Sequence, residues 1–246
     1  MKGVILAGGT GTRLHPLTRI TNKHLLPIYD RPMVTYAIEA LVQAGVGELM
    51  LVTGGTHAGE FLRLLGNGHE YGIDRLFYGY QERPGGIAEA LALAERFVNR
   101  DPVVVMLADN IYEESLRPVI ENFERQASGA RVILSHVRET EHLRHLGVPR
   151  LDNGRIVEII EKPVDPPGQH AVTGVYCYDG SVWDVLPTLE PSGRGELEIT
   201  DVNNWYVTQG RMEYDVLDGF WGDAGESIDA YYAVNDFVRR NGANRG

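Results

Sequence analysis

Lys2-Gly3-Val4-Ile5-Leu6-Ala7-Gly8-Gly9-Thr10-Gly11-Thr12-Arg13 opens the chain, and Lys23 follows ten residues later. An apolar run feeding straight into three glycines reads as a buried strand that delivers bare backbone to one spot. Glycine lets backbone N–H groups approach an anion with no Cβ in the way. Arg13 adds a planar fork for phosphate oxygens and Lys23 a movable point charge. The combination suits several phosphates better than one. A tight surface turn is the plain alternative, but it explains neither the strand leading in nor the two cations.

Two familiar phosphate loops are excluded. The dinucleotide fingerprint G-x-G-x-x-G needs glycine at 14, where this chain has Leu14, so a nicotinamide-dependent dehydrogenase is disfavoured. A Walker A loop needs Gly-Lys followed by Ser or Thr, which is absent from this region.

Outward from the loop, apolar runs alternate with amphipathic segments. Strands are expected at Gly3–Ala7, Leu49–Thr53, Leu76–Tyr80, Val103–Ala108 and Arg131–Val137. Between them Val34, Ala37, Ile38, Leu41 and Val42 form one helical stripe, with Pro32 at the first helical position and Gly45 closing it. Further helices are expected over Ala58–Leu65, on Ile87, Leu91, Ala94 and Phe97, and on Leu116, Ile120 and Phe123. This alternation predicts an α/β fold with a doubly wound, mostly parallel Rossmann-like sheet and helices on both faces, its ligand outside the carboxyl ends of the strands. The second half reads differently. Short strands at Val148–Leu151, Ile156–Glu161, Val172–Tyr178 and Met212–Leu217, with a hairpin turn at Asp152-Asn153-Gly154, predict a small antiparallel or mixed lobe at the sheet edge. A last helix is expected over roughly Ser227–Arg240, with Ser227 as its N-cap.

The chain has 246 residues, 43% apolar and 23% charged, ordinary for a globular enzyme. Its net charge of −11 argues against nucleic acid as a partner. The single cysteine, Cys177, excludes an intrachain disulfide, and its setting between Tyr176 and Tyr178 suits a packing thiol. No signal pattern and no membrane-length apolar run is present, so a cytoplasmic location with no membrane partner is expected.

Two acids stand at strand ends. Asp109 follows Val103-Val104-Val105-Met106-Leu107-Ala108, and Asp223 lies in Phe220-Trp221-Gly222-Asp223-Ala224-Gly225. Each has a bland alternative, a turn for Asp109-Asn110 and a helix start for Asp223. With Arg13 and Lys23 they make a metal-assisted phosphate reaction the economical reading, Mg²⁺ taking carboxylate and phosphate oxygens. Glu161-Lys162-Pro163 presents another charged pair in extended geometry. His142 and His145 do not form H-E-x-x-H and read as a solvated helical face.

Read together, these segments resemble the sugar-phosphate nucleotidylyltransferases. The likeness is carried by Leu6–Leu14, by Asn22-Lys23-His24-Leu25-Leu26-Pro27 and by Gln81–Ala90. Glu161-Lys162-Pro163, Val172–Tyr176 and Gly195–Asn204 extend it nearly end to end, closest to the thymidylyl-transferring branch. The resemblance implies a single nucleotidyltransferase domain over 1–246. Residues 1–137 would be mainly nucleotide-binding and 138–226 mainly sugar-phosphate-binding, with 227–246 a C-terminal helix and tail. It further implies Mg²⁺-dependent transfer from dTTP to α-D-glucose 1-phosphate by direct in-line attack. Arg13, Lys23 and Asp109 would be catalytic, and Asp109 and Asp223 would hold the metal. Leu6, Ala7, Gly8, Gly9, Thr10, Gly11, Thr12, Arg13, Gln81, Pro84 and Gly86 would bind the nucleotide, and Gly147, Glu161, Lys162 and Thr173 the sugar phosphate. UTP or another hexose 1-phosphate stays open as the substrate, as do a homo-oligomer and a non-catalytic nucleotide-sugar-binding protein of the same fold.

Overall fold

A computed structural model describes residues 1–246. Strand β1 (Lys2–Ala7) is buried on both faces from Val4 to Ala7, as expected of the centre of a parallel sheet. A two-residue ribbon, β2 (Pro27–Ile28) and β3 (Arg31–Pro32), leads into α1 (Met33–Gln43). Then β4 (Glu48–Gly54), α2 (Ala58–Leu65), β5 (Arg75–Gln81), α3 (Ile87–Ala92) and α4 (Glu95–Val98) follow. The chain continues through β6 (Val103–Leu107), β7 (Asn110–Tyr112), α5 (Arg117–Arg125) and β8 (Ala130–His136). Next come α6 (Thr140–Leu143), β9 (Gly147–Asp152), β10 (Arg155–Glu161), β11 (His170–Tyr178) and α7 (Val182–Val185). It ends with α8 (Ile199–Thr208), β12 (Met212–Val216), β13 (Trp221–Asp223) and α9 (Ile228–Asn241).

The main sheet has the order β12-β8-β11-β6-β1-β4-β5. All its strands point the same way except β11, which is antiparallel to both neighbours. The chain winds outward from β1 through β4 to β5, then crosses to β6 on the other side of β1. The crevice between β1 and β6 is therefore a topological switch point, where such sheets bind ligands. Alternate residues of β1 feed two cores: Ile5 and Ala7 face α1, α2 and α5, while Val4 and Leu6 face α3, α7 and α8. The cores hold 30 and 27 buried residues, so neither face is left to solvent.

Local chemistry accounts for the element ends. Ser227 accepts from Ala230 N at 3.0 Å and caps α9, whose last turn carries Arg239 and Arg240. Asn153 and Gly154 both take positive φ, 48° and 75°, and close the β9–β10 hairpin. No helix is long and apolar enough to cross a membrane.

Several expectations of local structure need correction, among them Lys162, which precedes Pro163 yet takes φ +47° where extended geometry was expected. Strands β11 and β12 belong to the main sheet, and only the β9–β10 hairpin stands apart as a lobe. Pro32 is the N-cap of α1, in extended geometry, one residue before the first helical position. The ten-residue α8 lies where no helix was expected. Cys177 is the packing thiol anticipated: it is fully buried in β11, and burial pushes its thiol up to about 12. A thiol reagent is expected to label none of the native protein and one site per chain in denaturant; stoichiometric labelling of the native state would mean that β11 opens.

Candidate active site

The opening loop leaves β1 at the switch point. Gly11 takes φ +63° as the cap of the one-turn helix Thr12–Leu14, and its carbonyl accepts from Thr18 Oγ1 at 2.7 Å. Leu14 is fully buried and pins the turn to the core, whereas Arg13 is exposed on its outer side. A second one-turn helix, Lys23–Leu25, is capped by Asn22, whose Oδ1 accepts from His24 N at 2.9 Å. That cap sends Lys23 inward, where its ammonium forms a close ion pair with Asp109 Oδ2.

Asp109 and Asp223 meet through the small ribbon formed by β7 and β13. Asp223 lies opposite Asn110 in that ribbon, and Asp109 O accepts from Ala224 N at 2.9 Å. Burial is the largest influence on the Asp109 carboxyl and would raise it, but the Lys23 charge and hydrogen bond, with His24 and the Asn110 amide, together hold the group below the usual carboxylate range. Asp223 lacks such a close partner: burial and the neighbouring Asp109 charge push it up to about 6, with Lys23 and Arg13 pulling the other way. Burial, with Lys23 adding to it, lowers His24 to about 3, so the ring 3.9 Å from Asp109 stays neutral.

Asn110 orders this cluster, a role beyond the turn that Asp109-Asn110 offers as the bland alternative. It is 2% exposed and all of its side-chain atoms are engaged. Nδ2 donates to Asp109 Oδ1 at 3.1 Å, while Oδ1 accepts from Trp221 Nε1 at 2.6 Å and from Gly174 N at 3.0 Å. The β11–β8 ladder is irregular between Val172 and Tyr176, which frees the Gly174 N–H for Asn110. Because β11 runs against the other strands, Thr173 and Gly174 arrive at the same edge as Asp109. Thr173 Oγ1 is buried there with no hydrogen-bond partner in the protein.

His142 differs from expectation. It is not a solvated face: its ring stacks on Trp221, centroids 6.3 Å apart, and ion-pairs with Glu226 at 2.7 Å.

Beside the opening loop, Gln81 ends β5 and is buried, while Pro84 is exposed on the loop that follows. Gly86 takes φ +99°, and Leu197 lies against it so closely that no Cβ fits. Leu197 N donates to Gly85 O at 2.8 Å and Ala88 N to Leu197 O at 3.2 Å. At the end of β10, Glu161 Oε2 accepts from Thr200 Oγ1 at 2.6 Å, and Gly147 faces both groups. Lys162 Nζ stands 3.6 Å and Arg194 Nη2 3.5 Å from Glu161 Oε1. Arg194 and Thr200 were not singled out as site residues. Their signal, a cation between two glycines and a threonine at a helix start, is weak without the tertiary placement.

Carboxylates facing a lysine across a glycine-rich switch point form a site for handling several phosphates, as a nucleotide-using transferase does. The model of the Nucleotidyl transferase family matches residues 2–241. A glucose-1-phosphate thymidylyltransferase of Actinoplanes sp. is 42% identical over 243 residues, 97% of this chain and 78% of that protein. A Bacillus anthracis structure named for the same activity superposes with a TM-score of 0.92 at 45% identity, covering 97% of this chain and 95% of its own. A UDP-glucose pyrophosphorylase bound to UDP-glucose superposes at 0.81 with 25% identity, covering 97% and 98%. The chain belongs to the nucleotidyl transferase family.

Proposed function

We propose that the protein transfers a thymidylyl group from dTTP to α-D-glucose 1-phosphate, forming dTDP-glucose and pyrophosphate. The observation that carries this reading is the buried Lys23–Asp109–Asp223 cluster within reach of the Arg13 charge, with the loop after Gln81 taken as the base side and Glu161, Lys162 and Arg194 as the sugar side. A phosphate oxygen of the sugar attacks the α-phosphorus of the nucleotide, that P–O bond forms, and the bond to the β-phosphate bridging oxygen breaks. Pyrophosphate carries away the electron pair. No proton need move and no covalent enzyme intermediate is required, because both reactants sit in one crevice.

The residues fit Mg²⁺. Two hard carboxylates converge, and burial together with the neighbouring Asp109 charge raises Asp223, a setting that a cation shared with phosphate oxygens would relieve. Asp109 and Asp223 would hold it, and when bound it supplies charge neutralisation across the phosphates. Lys23 bridges phosphate oxygens from the floor of the crevice, and Arg13 covers them from outside. The backbone from Leu6 to Thr12 lines the triphosphate. Gln81, Pro84 and Gly86 frame the base. Lys162 and Arg194 hold the sugar phosphate, while Glu161, Gly147 and the orphaned Thr173 hydroxyl meet the hexose.

Pyrophosphate release measured for dTTP, UTP, CTP, ATP and GTP, each against several sugar 1-phosphates, tests the proposal. The highest kcat/KM is expected for dTTP with glucose 1-phosphate. A higher value for UTP or for another hexose moves the assignment within the family, and no release with any pair removes it.

A further inference from the structure

The β9–β10 hairpin is tied to α8 and β12 by several polar contacts. Asn204 holds Ile159 by two hydrogen bonds of 2.8 Å, and Tyr214 reaches Gly154 O at 3.2 Å. Toward the acids the linkage is much thinner. Between residues 138–163 and the β7–β13 ribbon with its following turn, one polar contact is made: His142 Nε2 to Glu226 Oε2 at 2.7 Å. The same ring lies within 6° of parallel to Trp221. His142 thus grips the Asp223 turn on both flanks, at the residue two before the acid and at the residue three after it. Further along the same segment, Leu146 O accepts from Lys162 N at 3.0 Å, and Gly147 faces Glu161. The short stretch from His142 to Gly147 therefore has the Asp223 turn at one end and Glu161 and Lys162 at the other. Leu143 is buried beside it, but apolar contact is non-directional and sets no precise spacing.

We propose that His142 and Glu226 form a clasp that sets the spacing between the Asp223 turn and the hairpin carrying Glu161 and Lys162, and so keeps the sugar phosphate in line with the α-phosphorus. The proposal rests on the nucleotidyl-transfer reading above. Neither residue touches substrate; both are positioning residues, acting through the turn on one side and through Leu146 and Gly147 on the other. Spacing matters because in-line displacement needs the reacting atoms aligned and roughly 3–3.5 Å apart, and a misplacement of about 1 Å can cost on the order of 10²-fold. The turn is held against Asp109 without the clasp, by Ala224 N to Asp109 O at 2.9 Å and Gly225 N to Asp223 Oδ1 at 2.8 Å. Opening the clasp therefore leaves the nucleotide half in place and displaces the acceptor.

The test is a double-mutant cycle of His142→Ala, Glu226→Gln and the double variant. Pyrophosphate release gives kcat and both KM values, calorimetry gives dTTP affinity in Mg²⁺, and a melting curve reports the fold. Each single variant is expected to lower kcat about ten-fold and to raise the glucose 1-phosphate KM about three-fold, with dTTP affinity within about two-fold of wild type. The double variant is expected to lose no more than the worse single, because either change already opens the clasp. Both side chains are partly exposed, so the variants are expected to stay folded. A merely structural pair would lower the melting temperature and leave kcat per folded molecule and both KM values unmoved, which overturns the proposal. Losses that multiply in the double variant overturn it too, since the two residues would then act separately. So does a dTTP affinity that falls along with kcat, which would put the effect on the nucleotide half. In each of these cases the wild type still turns over dTTP, and nucleotidyl transfer stands. A wild type that releases no pyrophosphate overturns the underlying reading instead, and this proposal with it.

Discussion

Asp109→Asn is expected to lower kcat by about 10³-fold or more, while the protein stays folded. The replacement keeps the shape of the side chain and its hydrogen-bond acceptor toward Asn110, but removes the charge that pairs with Lys23 and that would hold the cation. Breaking one side of a buried ion pair typically costs ~3–5 kcal/mol. Here the loss is offset in part, because the same charge repels Asp223 and raises it to about 6. Thermal unfolding is therefore expected to shift modestly while turnover collapses. The measurement is a pyrophosphate-release assay beside a melting curve. Near-normal turnover in the folded variant would take Asp109 out of the phosphate-handling cluster.

Arg13→Ala is expected to reduce kcat by roughly 10²–10³-fold, with glucose 1-phosphate affinity changed by no more than about three-fold. Leu14 anchors the one-turn helix, so the truncation removes a guanidinium from the crevice rim without unseating the loop. The charge of Arg13 reaches Asp223, on the inner wall of the same crevice. Arg13→Lys keeps the charge without the planar fork and is expected to recover about ten-fold of the loss. Calorimetric titration with the sugar phosphate separates the two roles. A weakened affinity at unchanged kcat would make Arg13 a tether for substrate.

The strand–glycine opening and the helical stripes were legible because each is a local pattern: strands β1, β4, β5, β6 and β8 and helices α1, α2 and α5 fall within a residue or two of expectation, whereas the helix expected through Ile87–Phe97 is broken into α3 and α4 and the short strands β2, β3 and β7 were not foreseen. The strand β11 was misplaced for a physical reason. Its continuous apolar run, Val172–Tyr178 after His170-Ala171, is what a strand buried on both faces requires, yet its position after the β9–β10 hairpin suggested local pairing. The helix α8 hides in Ile199-Thr200-Asp201-Val202-Asn203-Asn204, poor in strong helix formers. It is sustained by burial of Ile199, Val202 and Tyr206 against the sheet. The acids at 109 and 223 were readable as strand-end residues. Their coupling was not, because the β7–β13 ribbon joins segments more than a hundred residues apart. The role of Asn110 was invisible for the same reason: each of its partners except Asp109 is distant in the chain.

The two backbone hydrogen bonds between Leu197 and the loop at Gly85–Ala88 bear on how the protein could be re-engineered. They fuse the Gly85–Ala88 loop and the segment beside Arg194 into one module, although the sequence separates them by more than a hundred residues. A chimera that imports only the base loop from a relative would meet a mismatched Leu197, and one that imports only the Gly195–Asn204 stretch would lose its support. Under the proposed function, these two segments would pass substrate preference on only as a pair, and a successful graft has to carry both.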